Sequence, residues 1–200
     1  MARAAGTAHG DLVPDPSIQD GRRRKGEKRR RLLREATMRV IEDSGVAAVT
    51  QRAVAREAGL PPSAVMYYFP SVEEMLVAAL TACNDSYLEE LDKLCSMDDA
   101  SALEGLASLI AGSTTTTRAH IVAEYELFLK AARRPEMRPQ IARWMDALDA
   151  LMARYIDDPV ERAGATAAID GLFLRACIGE NPPDAGVVLH VLQSLIRRAG

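Results

Sequence analysis

The stretch from Val49 to Phe69, VTQRAVAREAGLPPSAVMYYF, leaves this chain the fewest ways to fold. The Thr50 hydroxyl can cap a helix, and Gln51 to Ala58 then reads as one short helix striped by Val54, Ala55 and Ala58. Gly59 stands where a helix stops, because glycine enters the left-handed region without a side-chain clash. Pro61 and Pro62 bar a continuous helix through the turn, yet proline is tolerated in the first turn of a following one. Ser63 to Phe69 is that second helix, ended by Pro70 and Ser71. Two short helices joined by a tight glycine turn make a helix-turn-helix, the unit that lays its second helix in a DNA major groove.

The rest of the chain predicts an all-α protein of about nine helices, since Ala and Leu are abundant and strand-like alternation is missing. No apolar run reaches the roughly 18–20 residues needed to span a bilayer, and the N-terminus lacks a secretory core. These features predict a cytoplasmic protein with no membrane partner. Cys83, Cys95 and Cys177 are widely spaced, without CxxC or a histidine at metal-ligand spacing. They read as reduced thiols on helix faces, with a redox sensor as the alternative; no metal and no cofactor is expected. Catalysis is not expected either. His9, His120 and His190 are scattered, no HExxH, GxSxG or glycine-rich nucleotide loop occurs, and Glu89-Glu90 and Asp98-Asp99 diverge on helix surfaces or turns.

Charge is divided unevenly. Residues 1–71 hold 13 Lys and Arg against 8 Asp and Glu, while residues 72–200 hold 12 against 20, within a net charge of -3. A basic end on an acidic body suits a protein that presents one end to a polyanion. Residues 1–21, rich in Ala, Gly, Pro and Asp, are expected to be a disordered tail. Residues 22–71 are expected to form the helix-turn-helix domain with a basic N-terminal arm. Eight positive charges in RRRKGEKRRR, Arg22 to Arg31, predict a flexible arm that meets DNA phosphates or the minor groove, with Arg29 and Arg30 as contacts. A merely solvated run is the alternative. The first helix is expected from about Glu27 to Ser44, striped by Leu33, Ala36 and Ile41. In the second helix of the motif Val65, Met66 and Phe69 should face the core, leaving Pro62, Ser63, Ala64, Tyr67 and Tyr68 outward. Apolar Pro and Ala suit a thymine methyl, and Ser and Tyr hydroxyls suit phosphates.

Residues 72–200 are expected to form a second, helical domain. A long helix from Val72 carries Met75, Leu76, Ala79, Leu80, Cys83 and Tyr87 on one side. A second helix follows over Ala102 to Ala111, and the Ser/Thr run after Gly112 should break the chain. In the helix from Arg118 to Arg133, Glu124 shares a face with Ile121 and Phe128. A carboxylate there must find a partner or stay protonated, so it is either an ion pair with a neighbouring helix or a polar anchor in a ligand pocket. Trp144 is either core or pocket wall. Candidate pocket residues are Cys83, Tyr87, Glu124, Tyr125, Phe128, Trp144, Leu148, Asp170 and Leu174, with a structural hydrogen bond as the other role for Asp170. Two last helices, near 160–179 and 184–199, are more apolar than one partner need cover, and Gly164, Ala167 and Gly171 allow close helix approach.

From Arg31 to Leu80 the order of features resembles the DNA-binding domain of the tetracycline-repressor (TetR) family. A first amphipathic helix ends at Ser44-Gly45. The Thr-capped helix, Ala58-Gly59-Leu60, an aromatic pair, Phe69-Pro70-Ser71 and Glu73-Glu74-Met75-Leu76 follow in order. The resemblance implies that Thr50, Gln51 and Arg52 approach DNA, Arg52 reaching toward a base. It also implies that residues 72–200 form a helical effector-binding and dimerisation domain whose last two helices build a four-helix dimer interface, with Gly171, Leu172, Phe173, Val188, Val191, Leu192 and Leu195 as its candidates. Two usual phosphate anchors of the family, a tyrosine and a lysine, are replaced here by Met66 and Val72. The expected function is a homodimeric repressor that binds a palindromic double-stranded DNA operator and is released by a largely hydrophobic small molecule. A helical protein-interaction module with weakened DNA binding is the alternative.

Overall fold

In the computed structural model residues 16–112 and 118–199 are described, less the side chains of residues 16–20, 22, 177, 178 and 199. These residues form nine α-helices and no strand. The order is α1 (Pro16–Ser44), a 3-10 turn at Val46–Ala48, α2 (Gln51–Ala58), α3 (Pro62–Tyr68), α4 (Val72–Cys95), α5 (Asp99–Ile110) and α6 (Arg118–Ala131). A second 3-10 turn at Pro135–Met137 leads to α7 (Arg138–Met152), α8 (Pro159–Ile178) and α9 (Ala185–Ala199). Among the described residues no helix is long and apolar enough to cross a membrane.

The short helices are fixed by their ends. Thr50 Oγ1 accepts a hydrogen bond from the Ala53 N–H at 3.0 Å, and Gly59 closes α2 with φ +64°. Ser71 Oγ accepts from the Glu74 N–H at 3.1 Å to open α4, and an Asp98 carboxylate oxygen accepts from Ala100 and Ser101 to open α5. Each such cap contributes about 1 kcal/mol. The Asp98 cap also explains why α5 starts at Asp99 rather than at Ala102.

The N-terminal expectation is corrected. Helix α1 begins at Pro16, so the run Arg22–Arg31 is helical and continuous with the first core helix, not a flexible arm. Arg and Lys are good helix formers, and tertiary contacts hold the basic turn down. Arg31 pairs with Glu35 at 3.5 Å, and the Arg30 guanidinium lies over the Phe69 and Tyr68 rings at 5.5 and 6.0 Å. The part of the expected tail from Pro16 to Gly21 is likewise helix. Residues 1–15 and the Ser/Thr run 113–117 lie outside the described residues.

Two apolar cores share α4. One gathers Leu33 and Ile41 from α1, Val54 from α2, and Val65 and Phe69 around Met75, Leu76 and Leu80 of α4, and it extends to Leu127 of α6. The other joins Leu91 and Leu94 to Leu106, Leu148, Ile169, Val188 and Leu192, while Phe128 packs against both. The head formed by α1, α2 and α3 is therefore seated on α4 and α6 chiefly through α1. Met66 is corrected from core to surface, at 54% exposed. Val65 and Phe69, four residues apart, already occupy the inner face, and Met66 falls about 100° round the helix beside Tyr67.

Candidate nucleic-acid interface and ligand cavity

Three segments converge on one end of the molecule. The Gln51 side-chain amide donates to the Phe69 and Pro70 carbonyls at 3.0 and 2.9 Å, clamping the start of α2 against the end of α3. Gln51, expected on DNA, thus spends its two amide hydrogens on a brace. On the α1 side, Lys25, Lys28, Arg29 and Tyr68 line one shallow groove. Thr50, Arg52, Pro62, Ser63 and Tyr67 are exposed, Tyr67 at 78%, whereas Ala64 and Tyr68 are half-buried. The Tyr67 and Tyr68 rings meet edge-to-face, with centroids 4.9 Å apart. Tyr68 packs on the core and the exposed Arg30 lies over its ring, beside the outward-pointing Tyr67, Ser63 and Arg29. The surface combines a basic helical turn, the free end of α2 and the outward face of α3. Such a surface can meet phosphates and base edges together.

In the helical body, α4, α6, α7 and α8 enclose a cavity of about 280 Å³. Tyr87, Trp144 and Phe173 form a triangle of edge-to-face rings, with centroids 5.7, 5.7 and 6.1 Å apart. Trp144 Nε1 donates to Asp170 Oδ1 at 3.1 Å, and burial pushes the Asp170 carboxyl above its ordinary range, against the lowering effect of that bond. Of the nine expected pocket residues, Tyr87, Glu124, Tyr125, Phe128, Trp144 and Asp170 line this cavity. Leu148 does not, being closed into the core, and Leu174 faces outward at 40% exposed. Cys83 opens on a neighbouring cavity instead. Asn84, Ile121, Leu129, Ala132, Ile141 and Met145 complete the wall, as does Phe173, which the family resemblance places on the dimer face. Asn84 carries a legible signal, a polar residue beside the apolar stripe of α4, and it donates to the Gln140 carbonyl. Two other expected dimer residues, Val188 and Leu192, are fully buried within the subunit.

Glu124 sits between the two cavities and is 6% exposed. Its Oε2 accepts from the Tyr87 hydroxyl at 2.9 Å, and its Oε1 lies 3.2 Å from His120 Nε2. The other His120 nitrogen, Nδ1, bonds to the Glu42 carboxylate on α1. Hydrogen bonds to Glu124 and then Glu42 outweigh desolvation and raise the His120 pKa to about 9. Cys83 lies beside this pair, and burial followed by the Glu124 charge pushes its thiol well above the usual range. His120 and Glu124 lie one helical turn apart on α6, but sequence spacing gives no hint that Cys83 meets them, because only helix packing brings α4 against α6.

Residues 33–79 match the family profile described as bacterial regulatory proteins, tetR family, and residues 97–198 match the profile described as tetracyclin repressor-like, C-terminal domain. The HTH-type transcriptional regulator BetI of Rhizobium meliloti (strain 1021) is 32% identical over 165 residues, which is 77% of this chain and 80% of that protein. Among solved structures, the TetR-family member SCO1917 of Streptomyces coelicolor A3 superposes with a TM-score of 0.74 at 30% identity, over 84% of this chain and 97% of that one. The multidrug binding protein EbrR complexed with ethidium superposes with a TM-score of 0.70 at 31% identity, over 84% and 97%. With both profiles matched in order along an all-helical chain, this protein belongs to the TetR family of transcriptional regulators, DNA-binding through its N-terminal helix-turn-helix.

Proposed function

We propose that the protein is a homodimeric repressor that leaves a roughly palindromic operator when an apolar organic cation enters the α4–α6–α7–α8 cavity. One observation carries the coupling. Helix α6 is a cavity wall on one face, through Ile121, Tyr125 and Phe128, and a clamp on the DNA-binding head on the other. Glu126 Oε2 accepts from the Val46 N–H at 2.5 Å, in the turn between α1 and α2, and His120 bonds to Glu42 of α1. A ligand that shifts α6 therefore shifts the head, provided it binds the two arrangements with different affinity. A tenfold loss of DNA affinity needs about 1.4 kcal/mol of that difference.

The effector class follows from the wall. Aromatic rings in the wall carry negative faces that attract a cation, and the half-buried Asp170 carboxylate gains from a positive neighbour. EbrR, similar in fold and sequence, is solved with imidazole, ethidium, proflavin and malachite green, of which the last three are aromatic cations. For dimerisation, Leu174 and Val187 stand exposed on α8 and α9, and added Cβ atoms on Gly164 and Gly171 would meet nothing within 4 Å. This surface accommodates the two equivalent helices of a second copy, with Val191 and Leu195 at its edge. A two-fold dimer would set two α3 helices in successive major grooves, about 34 Å apart.

Trp144 is the only tryptophan and forms part of the cavity wall, so its emission reports directly on occupancy. Benzyltrimethylammonium should quench it saturably and should lower affinity for a labelled duplex from upstream of the gene. Its neutral carbon analogue, neopentylbenzene, should do neither. Quenching without any change in DNA affinity would remove the coupling, and equal binding of both compounds would remove the cation preference.

A further inference from the structure

We infer that Cys83, His120 and Glu124 form a binding site for a zinc-class divalent cation at the joint between the DNA-binding head and the helical body. The Cys83 Sγ, a His120 ring nitrogen and a Glu124 carboxylate oxygen all lie within 4.8 Å of one another. Tetrahedral zinc, with bonds of about 2.0–2.3 Å to N, O and S, places its ligand atoms about 3.3–3.7 Å apart. The 3.2 Å from His120 Nε2 to Glu124 Oε1 already has about that length, and Cys83 needs only a modest side-chain adjustment to close the set. Thiolate, imidazole and carboxylate are a donor set that suits zinc better than magnesium or calcium, which prefer oxygen. One thiolate and one carboxylate also cancel a divalent charge in a buried setting.

The surroundings are those of a metal site rather than of an isolated ion pair. Glu42 holds Nδ1 of His120, the carboxylate–histidine arrangement that turns Nε2 toward a metal and makes it a better donor. Tyr87 holds the second oxygen of Glu124. Met38 places a thioether sulfur 3.6 Å from Cys83 Sγ. A cavity of about 860 Å³ opens on the three ligands, giving an entry path and a fourth coordination position for water. Since α4 and α6 supply the ligands and α1 supplies Glu42, occupancy would lock the head to the body. The binding claim rests on ligand geometry alone and holds whether or not the repressor reading does.

The test uses the full, chelator-treated chain and Co²⁺ as the spectroscopic probe for zinc, with Zn²⁺ affinity read by competition against a chromophoric chelator. One equivalent of Co²⁺ should give the visible bands of tetrahedral cobalt together with a near-ultraviolet thiolate charge-transfer band. Cys83→Ser should abolish the charge-transfer band, while Cys95→Ser, at an exposed cysteine, should leave it intact. Glu42→Gln should keep the band but weaken Zn²⁺ binding about 10–100-fold, as loss of an outer-shell partner does. If Cys83→Ser fails to fold by circular dichroism, His120→Gln replaces it and should lose the tetrahedral spectrum. A wild-type protein without a cobalt thiolate band, or a band that survives Cys83→Ser or vanishes in Cys95→Ser, overturns the site.

Discussion

The head and the body are stabilised and exposed in opposite ways. In the head, the groups proposed to meet DNA (Arg29, Thr50, Arg52, Ser63, Tyr67) stand in solvent, and the fold beneath them is set by caps, a glycine turn and the α1–α4 core. In the body, the groups proposed to meet a ligand are themselves part of the packing, as Trp144 is buried and Tyr87, Trp144 and Phe173 brace one another. A head substitution can therefore change binding without changing stability, whereas a body substitution changes both. The two regions meet at α6, where His120 and Glu126 reach the head and Glu124 faces the cavity.

The sharpest separation should come from Trp144→Ala. Removing a buried indole and its bond to Asp170 should cost about 3–5 kcal/mol, seen as a large fall in Tm, with loss of cation binding. A Tm within about 1 °C of wild type would show that the cavity wall is not part of the core. Next, joint replacement of Lys25, Lys28 and Arg29 by alanine should leave Tm nearly unchanged. It should also reduce the salt-dependence slope of DNA binding by about 0.9 for each phosphate no longer neutralised. An unaltered slope would make the basic helical turn a bystander. Tyr67→Phe should weaken DNA binding roughly fivefold, about 1 kcal/mol, without touching stability. Equal affinity of the two proteins would mean that the hydroxyl does not touch DNA.

The smallest effect concerns the joint. His120 has a folded-state pKa raised from the ordinary 6.5 to about 9, so its contribution is complete below about pH 6.5 and fades as pH rises toward 9. In metal-free protein, denaturant unfolding should show stability falling over that window by on the order of 0.5–1 kcal/mol once solvent screening is allowed for. His120→Gln should flatten the slope. A stability that rises from pH 6.5 to 9 by a His120-dependent amount would contradict the bridge.

What the sequence makes legible follows the same division. Thr50, Gly59, Pro62 and Ser71 act on backbone groups within four residues, so their roles can be read from local order, and the structure keeps them. Met66 misleads because two adjacent apolar residues, Val65 and Met66, compete for one inner face. The helical state of Arg22–Arg31 escapes a local reading because its hold on Tyr68 and Phe69 spans about forty residues of sequence. In the body, Glu124 announces itself as a carboxylate on an apolar face, with His120 one turn before it on α6. Its partner Tyr87, the inward turn of Phe173, and the burial of Val188 and Leu192 depend on how α4, α6, α8 and α9 pack. Periodicity names a helix's buried stripe; it does not say which neighbour covers it.

The most direct test is fluorescence anisotropy of the full chain on a labelled duplex from immediately upstream of its gene, beside a scrambled duplex, at several salt concentrations. A specific regulator should prefer the upstream duplex by about a thousandfold or more and lose affinity steeply with salt. Weak, equal and salt-insensitive binding to both duplexes would contradict that role. The exchange of the family's tyrosine and lysine for Met66 and Val72 would then mark a head that no longer holds DNA.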